Sequence, residues 1–158
     1  MLSVVVIFAS RCLLVLLFLP FSALDKILNF RAAIAQAGET ISIRPLATIL
    51  IAGGFAVEVV MSLAILTGIA DRLAAFVLAG YCLVTALLWK RFWKTADFRL
   101  KGPSQGRDVF WDFLKNVALA GGFLMLAFGT DAAGVSRLAH HPLASSRPYA
   151  VIRPDPER

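Results

Sequence analysis

The sequence predicts an all-α membrane protein, a bundle of four antiparallel transmembrane helices. Of its 158 residues, 59% are hydrophobic and only 16% are charged, whereas a soluble domain has roughly 25% charged residues. The apolar residues gather in four runs, each close to the roughly 20 residues that a helix needs to cross about 30 Å of hydrocarbon. Because backbone polar groups in hydrocarbon must bond within their own segment, each run is predicted to be helical.

The membrane domain is predicted to occupy residues 1–129. The third run is short and extends toward Trp93. Residues 68–72 make a tight turn after the second run, so the second and third helices form an antiparallel hairpin. An interfacial basic and aromatic segment, residues 90–108, precedes the fourth helix. The four predicted spans are approximately residues 2–24, 46–69, 73–89 and 109–129.

The first run is interpreted as a retained helix rather than a cleaved signal peptide. Signal peptides begin with a basic region, but no Lys or Arg precedes Arg11, which lies inside the run. Fifteen Leu, Ile, Val or Phe residues lie between Leu2 and Leu24. Each contributes about −0.3 to −0.6 kcal/mol to insertion, against about +3 kcal/mol for one Arg. We therefore expect this helix to insert despite Arg11.

The distribution of basic residues predicts the orientation in the membrane. The connections after the first and third runs hold three and six Lys or Arg residues, against one in the hairpin turn. The positive-inside rule then places both termini outside the cytoplasm, and we expect the inner (plasma) membrane of a bacterium. Phe92, Trp93 and Phe98 suit an interfacial anchor rather than a specific lipid site. Because the cations form no basic face, the net charge of +6 does not predict nucleic-acid binding.

The last segment, residues 130–158, is predicted to be an extended tail. It contains four prolines, which favour extended backbone. An extended segment of this kind stays ordered chiefly when something holds it. We therefore expect the tail to contact a membrane or extracytoplasmic protein partner. The four prolines are Pro142, Pro148, Pro154 and Pro156.

Several ionisable residues lie inside the predicted spans. If the first, second and fourth helices meet the cytoplasmic interface near Leu24, Leu46 and Val109, Arg11 lies ~20 Å deep, Glu58 ~18 Å and Lys115 ~9 Å. An unpaired charge near the bilayer centre costs at least about 2.5 kcal/mol, so opposite charges at one depth should pair. The sequence therefore predicts a contact between Arg11 and Glu58.

Small residues accompany these charges on two helices. Gly54, Glu58 and Ser62 are spaced by four and share one face of the second helix. Lys115, Ala118 and Gly122 are spaced three and four apart and share a face of the fourth helix. Small residues let a neighbouring helix approach closely, so both faces are predicted to point into the bundle.

A second polar level is predicted near the cytoplasmic boundary. Asp25 and Lys26, at the end of the first helix, lie at a depth similar to that of polar residues on the fourth helix. Those residues are Asp112, Lys115 and Asn116.

The order of these residues resembles the DoxX family of small four-helix membrane proteins. The similar segments are "RCLLVLLFLPFSALDK", Glu58 ahead of "LAILTGIADRLAA", Phe92 with Trp93, and "FLKNVALAGGFLML". Together they run from Arg11 to about Phe128. Two departures are local: Ala23 stands where the family often has Gly, and residues 59–62 lack the usual glycines. Both affect close packing and leave the polar positions in place.

The resemblance implies a role in membrane redox chemistry. DoxX-like proteins are associated with such systems, including a subunit of thiosulfate:quinone oxidoreductase and partners in thiol and superoxide detoxification. We therefore expect an accessory subunit of a quinone-linked redox complex, with quinone as the implied ligand. Its intramembrane polar pocket is expected to contain Arg11, Lys26, Glu58, Lys115 and Asn116. Supporting residues are expected to be Asp25, Asp112, Gly54, Ser62 and Gly122.

Two other functions remain open. The chain is interpretable as a non-catalytic structural or interaction subunit whose polar residues fix helix register. It is also interpretable as a small carrier or proton pathway that uses Glu58. The resemblance favours the redox subunit over both.

Several chemistries are disfavoured by the sequence. No His lies within a predicted span, which argues against bis-His haem ligation. Cys12 and Cys82 are far apart, so thiol exchange by this chain alone is not expected. The sequence has no nucleotide-binding loop, catalytic triad or cluster with metal-ligand spacing. These patterns disfavour an enzyme that works without partners.

Overall fold

The structure, a computed structural model, describes residues 1–40 and 43–150. Within these ranges every regular element is helical, and four helices are long and apolar enough to cross a membrane. The predicted all-α fold with four membrane helices is confirmed. The four candidate spans are Leu2–Leu28, Pro45–Thr67, Asp71–Lys94 and Gln105–Phe128.

The first span is a broken helix. Helix α1, Leu2–Val15, continues through a π-helical segment, Leu17–Ser22, into α2, Ala23–Leu28. Pro20 lies in the π-helical segment, and Leu19 before it has non-helical angles (φ −124°, ψ 109°). Because proline has no backbone N–H and clashes with the preceding turn, it breaks the helix here. The break changes the direction of the chain before α2.

The next two helices lie in contact. Helix α3, Phe30–Thr40, packs against α4, Arg44–Thr67. Proline in the first turn of α4 suits a helix start, where its missing N–H has no partner to lose. Gly68 ends α4 in the left-handed conformation (φ 78°) that a C-terminal cap requires. A turn of three residues then leads directly into the next helix.

Helices α5, Asp71–Trp89, and α6, Gln105–Phe128, form the most extensive helix pair. Small buried residues on α5 allow this close approach. The apolar core lies in the half of the bundle near the α4–α5 turn. Its fully buried large side chains include Val15, Ile65, Leu78, Cys82 and Phe123.

The segment between α5 and α6 is folded onto the start of α6. Phe92 lies in a 3-10 turn, Phe92–Lys94, and its ring contacts four aromatic rings at centroid distances of 5.0–5.4 Å. The Asp97 carboxylate accepts hydrogen bonds from the first two backbone N–H groups of α6, at 2.7 and 3.0 Å. Ser104 caps the same helix through the N–H of Arg107, at 3.1 Å.

The described part of the tail differs from the extended segment that the sequence predicts. It contains helix α7, Ala133–His140, which buries Gly134 and Leu138 against the bundle. Residues 141–150 then fold back over the α4–α5 turn. This part of the tail is therefore held by its own chain. Pro154 and Pro156 lie outside the described residues.

We name the two ends of the bundle by these features. The α3 face carries α3 and residues 90–104. The tail face carries the α4–α5 turn, α7 and residues 141–150.

The tail completes the C-terminal end of α4. The last carbonyls of a helix have no partner within it and are costly to leave unpaired in an apolar environment. Tyr149 donates its hydroxyl to the carbonyl of Leu66, and Ser145 donates to that of Gly68. The preceding carbonyl, that of Ile65, accepts from Arg11 at 2.6 Å.

Replacing Tyr149 with Phe is expected to destabilise the protein by about 1 kcal/mol. The substitution leaves the carbonyl of Leu66 without its hydroxyl donor but keeps the ring against Phe8. Thermal unfolding in detergent should show a melting temperature lowered by roughly 2–4 °C. An unchanged melting temperature would show that the tail does not cap α4 in solution.

Candidate functional site

The carboxylate of Glu58 lies at the centre of a buried polar cluster. Its side chain is only 2% exposed. The ammonium of Lys26 donates to both carboxylate oxygens, each at 2.8 Å. The hydroxyl of Tyr81 donates to one of them at 2.6 Å, and Lys26 also donates to the Ser22 hydroxyl at 2.7 Å. We call Lys26, Glu58 and Tyr81 the central triad.

Three separate elements position the central triad. Lys26 comes from α2, which follows the break at Pro20 and contacts α4. Glu58 lies on the inward face of α4, and Tyr81 lies near the middle of α5. Tyr81 is ten residues after Asp71 and nine before Lys90, so it lies ~15 Å and ~13 Å along the helix from those residues. The triad therefore lies near the mid-depth of the bundle.

The predicted contact between Arg11 and Glu58 is wrong. Arg11 instead pairs with Asp71, with a nitrogen to oxygen distance of 2.6 Å. Ile65, whose carbonyl also binds Arg11, is seven residues after Glu58 on α4, which places the two charged groups ~10 Å apart along the axis. The prediction assumed that the first helix leaves the hydrocarbon at Leu24. That helix continues to Leu28, so Lys26 takes the place next to Glu58.

Arg11 belongs to a second polar cluster at the tail face. Asp71, the first residue of α5, is fully buried. Its carboxylate accepts hydrogen bonds from the backbone N–H and the hydroxyl of Ser146, at 2.8 and 2.5 Å. Arg11 also lies beside the C-terminal end of α4, where a cation is favoured, and Asp71 lies at the N-terminal end of α5, where an anion is favoured. We call Arg11, Asp71 and Ser146 the tail clasp.

A cavity of about 890 Å³ extends from the central triad toward the α3 face. Its walls are mostly apolar and come from the first span, α3, α4, α5 and α6. Charged and amide side chains surround its outer part: Asp25, Gln36, Lys90, Asp112, Lys115 and Asn116. Apolar residues of its walls include Leu17, Phe18, Ile49, Leu50, Val57, Val84, Leu88 and Leu119.

The cavity brings together most of the residues expected at a polar pocket. Seven of them line it: Asp25, Lys26, Gly54, Glu58, Asp112, Lys115 and Asn116. Arg11 and Gly122 do not, since they line a separate cavity of about 420 Å³ at the tail face. Ser62 is fully buried, and its hydroxyl has no hydrogen-bond partner among the described residues.

Of the predicted second polar level, the residues on α6 come together and gain Lys90 as a partner, whereas Lys26 belongs to the central triad. Asp112 accepts from Lys115 and from Lys90, both at 3.2 Å. Asn116 donates to the carbonyl of Asp112 at 3.1 Å. Asp25 instead accepts from Asn29 at 2.8 Å. Because these groups are partly exposed, their ion pairs contribute little stability and leave the charges available to solvent or to a ligand.

Sequence reasoning missed Tyr81 and Asp71. A tyrosine inside an apolar run is a usable signal, since its hydroxyl must find a partner when buried. Asp71 lies in the predicted turn of residues 68–72, where an exposed polar residue is the usual expectation. Nothing in the sequence indicates that the tail and Arg11 both reach it.

Gly54 makes room for Tyr81, and its replacement by Ala is expected to weaken the central triad. A Cβ at position 54 would lie 3.0 Å from the Tyr81 hydroxyl oxygen, whereas a Cβ at Gly53 meets nothing within 4 Å. The hydroxyl must shift by a few tenths of an ångström, which weakens a hydrogen bond to a carboxylate that is worth about 1.5–3 kcal/mol in full. Thermal unfolding of Gly54→Ala and its matched control Gly53→Ala should show the first to be less stable. Equal stability would mean that Tyr81 is not held by this contact.

The central triad can donate hydrogen bonds, accept them and exchange a proton. Lys26 and Tyr81 supply donors, and Glu58 supplies a carboxylate, at the inner end of an apolar cavity. Throughout residues 1–40 and 43–150, no group of three or more His, Cys, Asp or Glu side chains is placed to hold a metal ion.

Comparison with known proteins identifies the family. The family model described as DoxX matches residues 6–91, which is more than half of the chain. The matched region contains Arg11, Asp71 and all of the central triad, and it ends before α6. Searches of curated proteins and of solved structures gave no match. This four-helix membrane protein therefore belongs to the DoxX family.

Proposed function

We propose that this protein is an accessory subunit of a membrane redox complex that binds a quinone headgroup in the large cavity. The observation that carries the proposal is the position of the central triad, a buried group of donors and one carboxylate at the end of an apolar cavity in the bundle interior. Ionisable residues inside a membrane bundle are costly to bury and are characteristic of ligand, ion and proton pathways. Electron carriers belong, in this proposal, to partner subunits.

The cavity fits a ligand of this type. Its volume of about 890 Å³ lies within the roughly 300–1,000 Å³ of small-molecule sites. A quinone ring is apolar on both sides and carries carbonyl acceptors at its edges. The apolar walls suit the ring, and Gly53 and Gly54, which lack side chains, widen the cavity. Lys26 and Tyr81 are the donors placed to bind a carbonyl.

Proton transfer at Glu58 would control those donors. The carboxylate engages both Lys26 and Tyr81 in the structure. When Glu58 takes up a proton, its attraction for Lys26 falls, and the ammonium and the Tyr81 hydroxyl are released to donate to a ligand. A bound quinone supplies the capacity to accept or release electrons together with protons. Glu58 is the residue of this chain placed to hold or return such a proton.

A structural role is the second candidate. It is favoured by the engagement of both carboxylate oxygens of Glu58, which accept from Lys26 and Tyr81, as expected of a pair that fixes helix register. The substitution Glu58→Gln separates the two functions. If the complex assembles but loses quinone-coupled activity, the redox role is supported. If the complex falls apart, the structural role is supported.

We also propose the bacterial inner membrane as the location, with both termini outside the cytoplasm. The excess of Lys and Arg in the connections on the α3 face supports this orientation. A protein partner is proposed to bind the tail face, where Val135 and Leu143 are exposed.

Tryptophan fluorescence tests the proposal directly. Trp89 lines the cavity, so the purified protein titrated with decylubiquinone should show saturable quenching. Trp89→Phe should remove most of it, whereas Trp93→Phe, at an exposed position, should not. Tyr81→Phe should weaken binding about fivefold, since it removes one hydrogen-bond donor. Quenching that does not saturate, or that survives Trp89→Phe, would rule the site out.

A further inference from the structure

We propose that the large cavity is a hydrated vestibule that connects Glu58 with water at the α3 face only. Protons and the polar headgroup of a ligand would then reach the central triad from that face, and no route would cross the bundle to the tail face. The route of the ligand rests on the proposed binding of quinone in this cavity. One-sided access is supported by the difference between the two ends of the bundle, since the α3 end is open and charged and the tail end is closed.

The α3 end of the cavity is open and charged. Lys115 is 73% exposed at its side chain, and Lys90 and Asp112 are 38% and 43% exposed. Ionised groups at membrane depth face water-filled space or a partner because hydrocarbon does not solvate them. The three side chains therefore keep the mouth hydrated.

The cavity reaches from this mouth to mid-depth. Lys90 and Tyr81 both line it, and nine residues of helix separate them, a distance of ~13 Å. Thr85 lines the cavity between these two positions. The cavity thus covers about half of the length of α5.

The other half of the bundle has a closely packed interior between α4, α5 and α6. Beyond Glu58, side chains from three helices close the interior: Ser62, Ile65, Ala75, Leu78 and Phe123 are all 0% exposed. Because fully buried side chains pack closely in protein interiors, no water path is expected between them.

The tail clasp then seals the outer end of this half. Arg11, Asp71 and Ser146 bond to one another, and Tyr149 covers the end of α4. The smaller cavity at this face has a lining of residues from α1, α6 and the tail, and none from α4 or α5. It shares no lining residue with the cavity at Glu58.

Cysteine labelling tests one-sided access. In a Cys12→Ser background, with buried Cys82 retained, single cysteines replace Thr85 in the cavity, Ile69 in the α4–α5 turn and Ala75 in the packed half. Each variant is exposed to a charged methanethiosulfonate in intact cells and in inside-out membrane vesicles. The charge keeps the reagent from crossing the bilayer, so labelling reports the face from which each thiol is reached.

Thr85→Cys is expected to react from the face opposite to that which labels Ile69→Cys, at least about tenfold faster than from the other face, because the reagent cannot cross the bilayer. Ala75→Cys should react from neither face. Labelling of Thr85→Cys from the Ile69 side, from both sides equally or from neither would overturn the proposal. Labelling does not depend on quinone, so failure of the quenching experiment would leave this result intact.

Discussion

Replacing Lys26 with Met is expected to destabilise the protein by about 3–5 kcal/mol, the largest effect of any single substitution in the cavity. Methionine keeps most of the side-chain volume but leaves Glu58, which is 2% exposed, without its cation. An ionised carboxylate buried in an apolar bundle has no other charge to balance it. The melting temperature in detergent should fall by roughly 6–20 °C.

Two further variants test whether the loss of stability in Lys26→Met comes from charge. Lys115→Met removes a cation from the same cavity but at an exposed position, where an ion pair contributes at most about 1 kcal/mol. The double variant Lys26→Met/Glu58→Gln removes both charges and should recover much of the stability, because the neutral amide can still accept from Tyr81. If the double variant is no more stable than Lys26→Met, side-chain packing rather than charge explains the effect.

Asp71→Asn is expected to lower the free energy of unfolding by about 3 kcal/mol or more. The side chain keeps its size, but Arg11 becomes an unpaired buried cation, and one of the carboxylate oxygens that bind Ser146 is replaced by an amide nitrogen. The tail should therefore detach from the α4–α5 turn. Thermal unfolding measures the loss.

The same substitution at Asp131 is the matched control. Asp131 pairs with Arg137 at 2.7 Å, but the two side chains are 60% and 46% exposed, so Asp131→Asn should cost less than about 1 kcal/mol. A double-mutant cycle between Asp71→Asn and Ser146→Ala should show strong coupling, because the two residues share hydrogen bonds. Equal effects at positions 71 and 131, or additive effects in the cycle, would contradict the tail clasp.

The part of the fold that could be predicted from the sequence is the part that the bilayer imposes on the backbone. Runs of about 20 apolar residues leave the backbone no alternative to helices, so the number and order of the spans are readable from composition. Pro20 is visible in the sequence as a helix breaker, yet the new direction of the chain depends on what α2 packs against. Helix α7 depends likewise on the surface that buries Leu138.

The sequence predicted that Glu58 would form a buried ion pair, but it did not predict which cation would be the partner. A carboxylate buried in an apolar bundle needs a cation beside it, and Glu58 has Lys26. The identity of that cation depends on the relative depth of two helices, which a break of one helix changes by several residues. Lys26 therefore takes the partner expected for Arg11, and Asp71, which follows a turn, is the buried acceptor for Arg11. Such offsets arise from tertiary packing rather than from local residue patterns.

The capping of α4 by Arg11 and Tyr149 has a consequence for biogenesis. Arg11 precedes α4 in the chain, so the donor for the carbonyl of Ile65 is made before that helix. Tyr149 follows α4, so the carbonyl of Leu66 receives its donor only after residue 149 has been synthesised. During membrane insertion the C-terminal end of α4 therefore lacks the Tyr149 donor to the carbonyl of Leu66. A nascent chain that stalls before residue 149 is thus an incompletely assembled substrate for membrane quality-control proteases, even though all four spans are already in place.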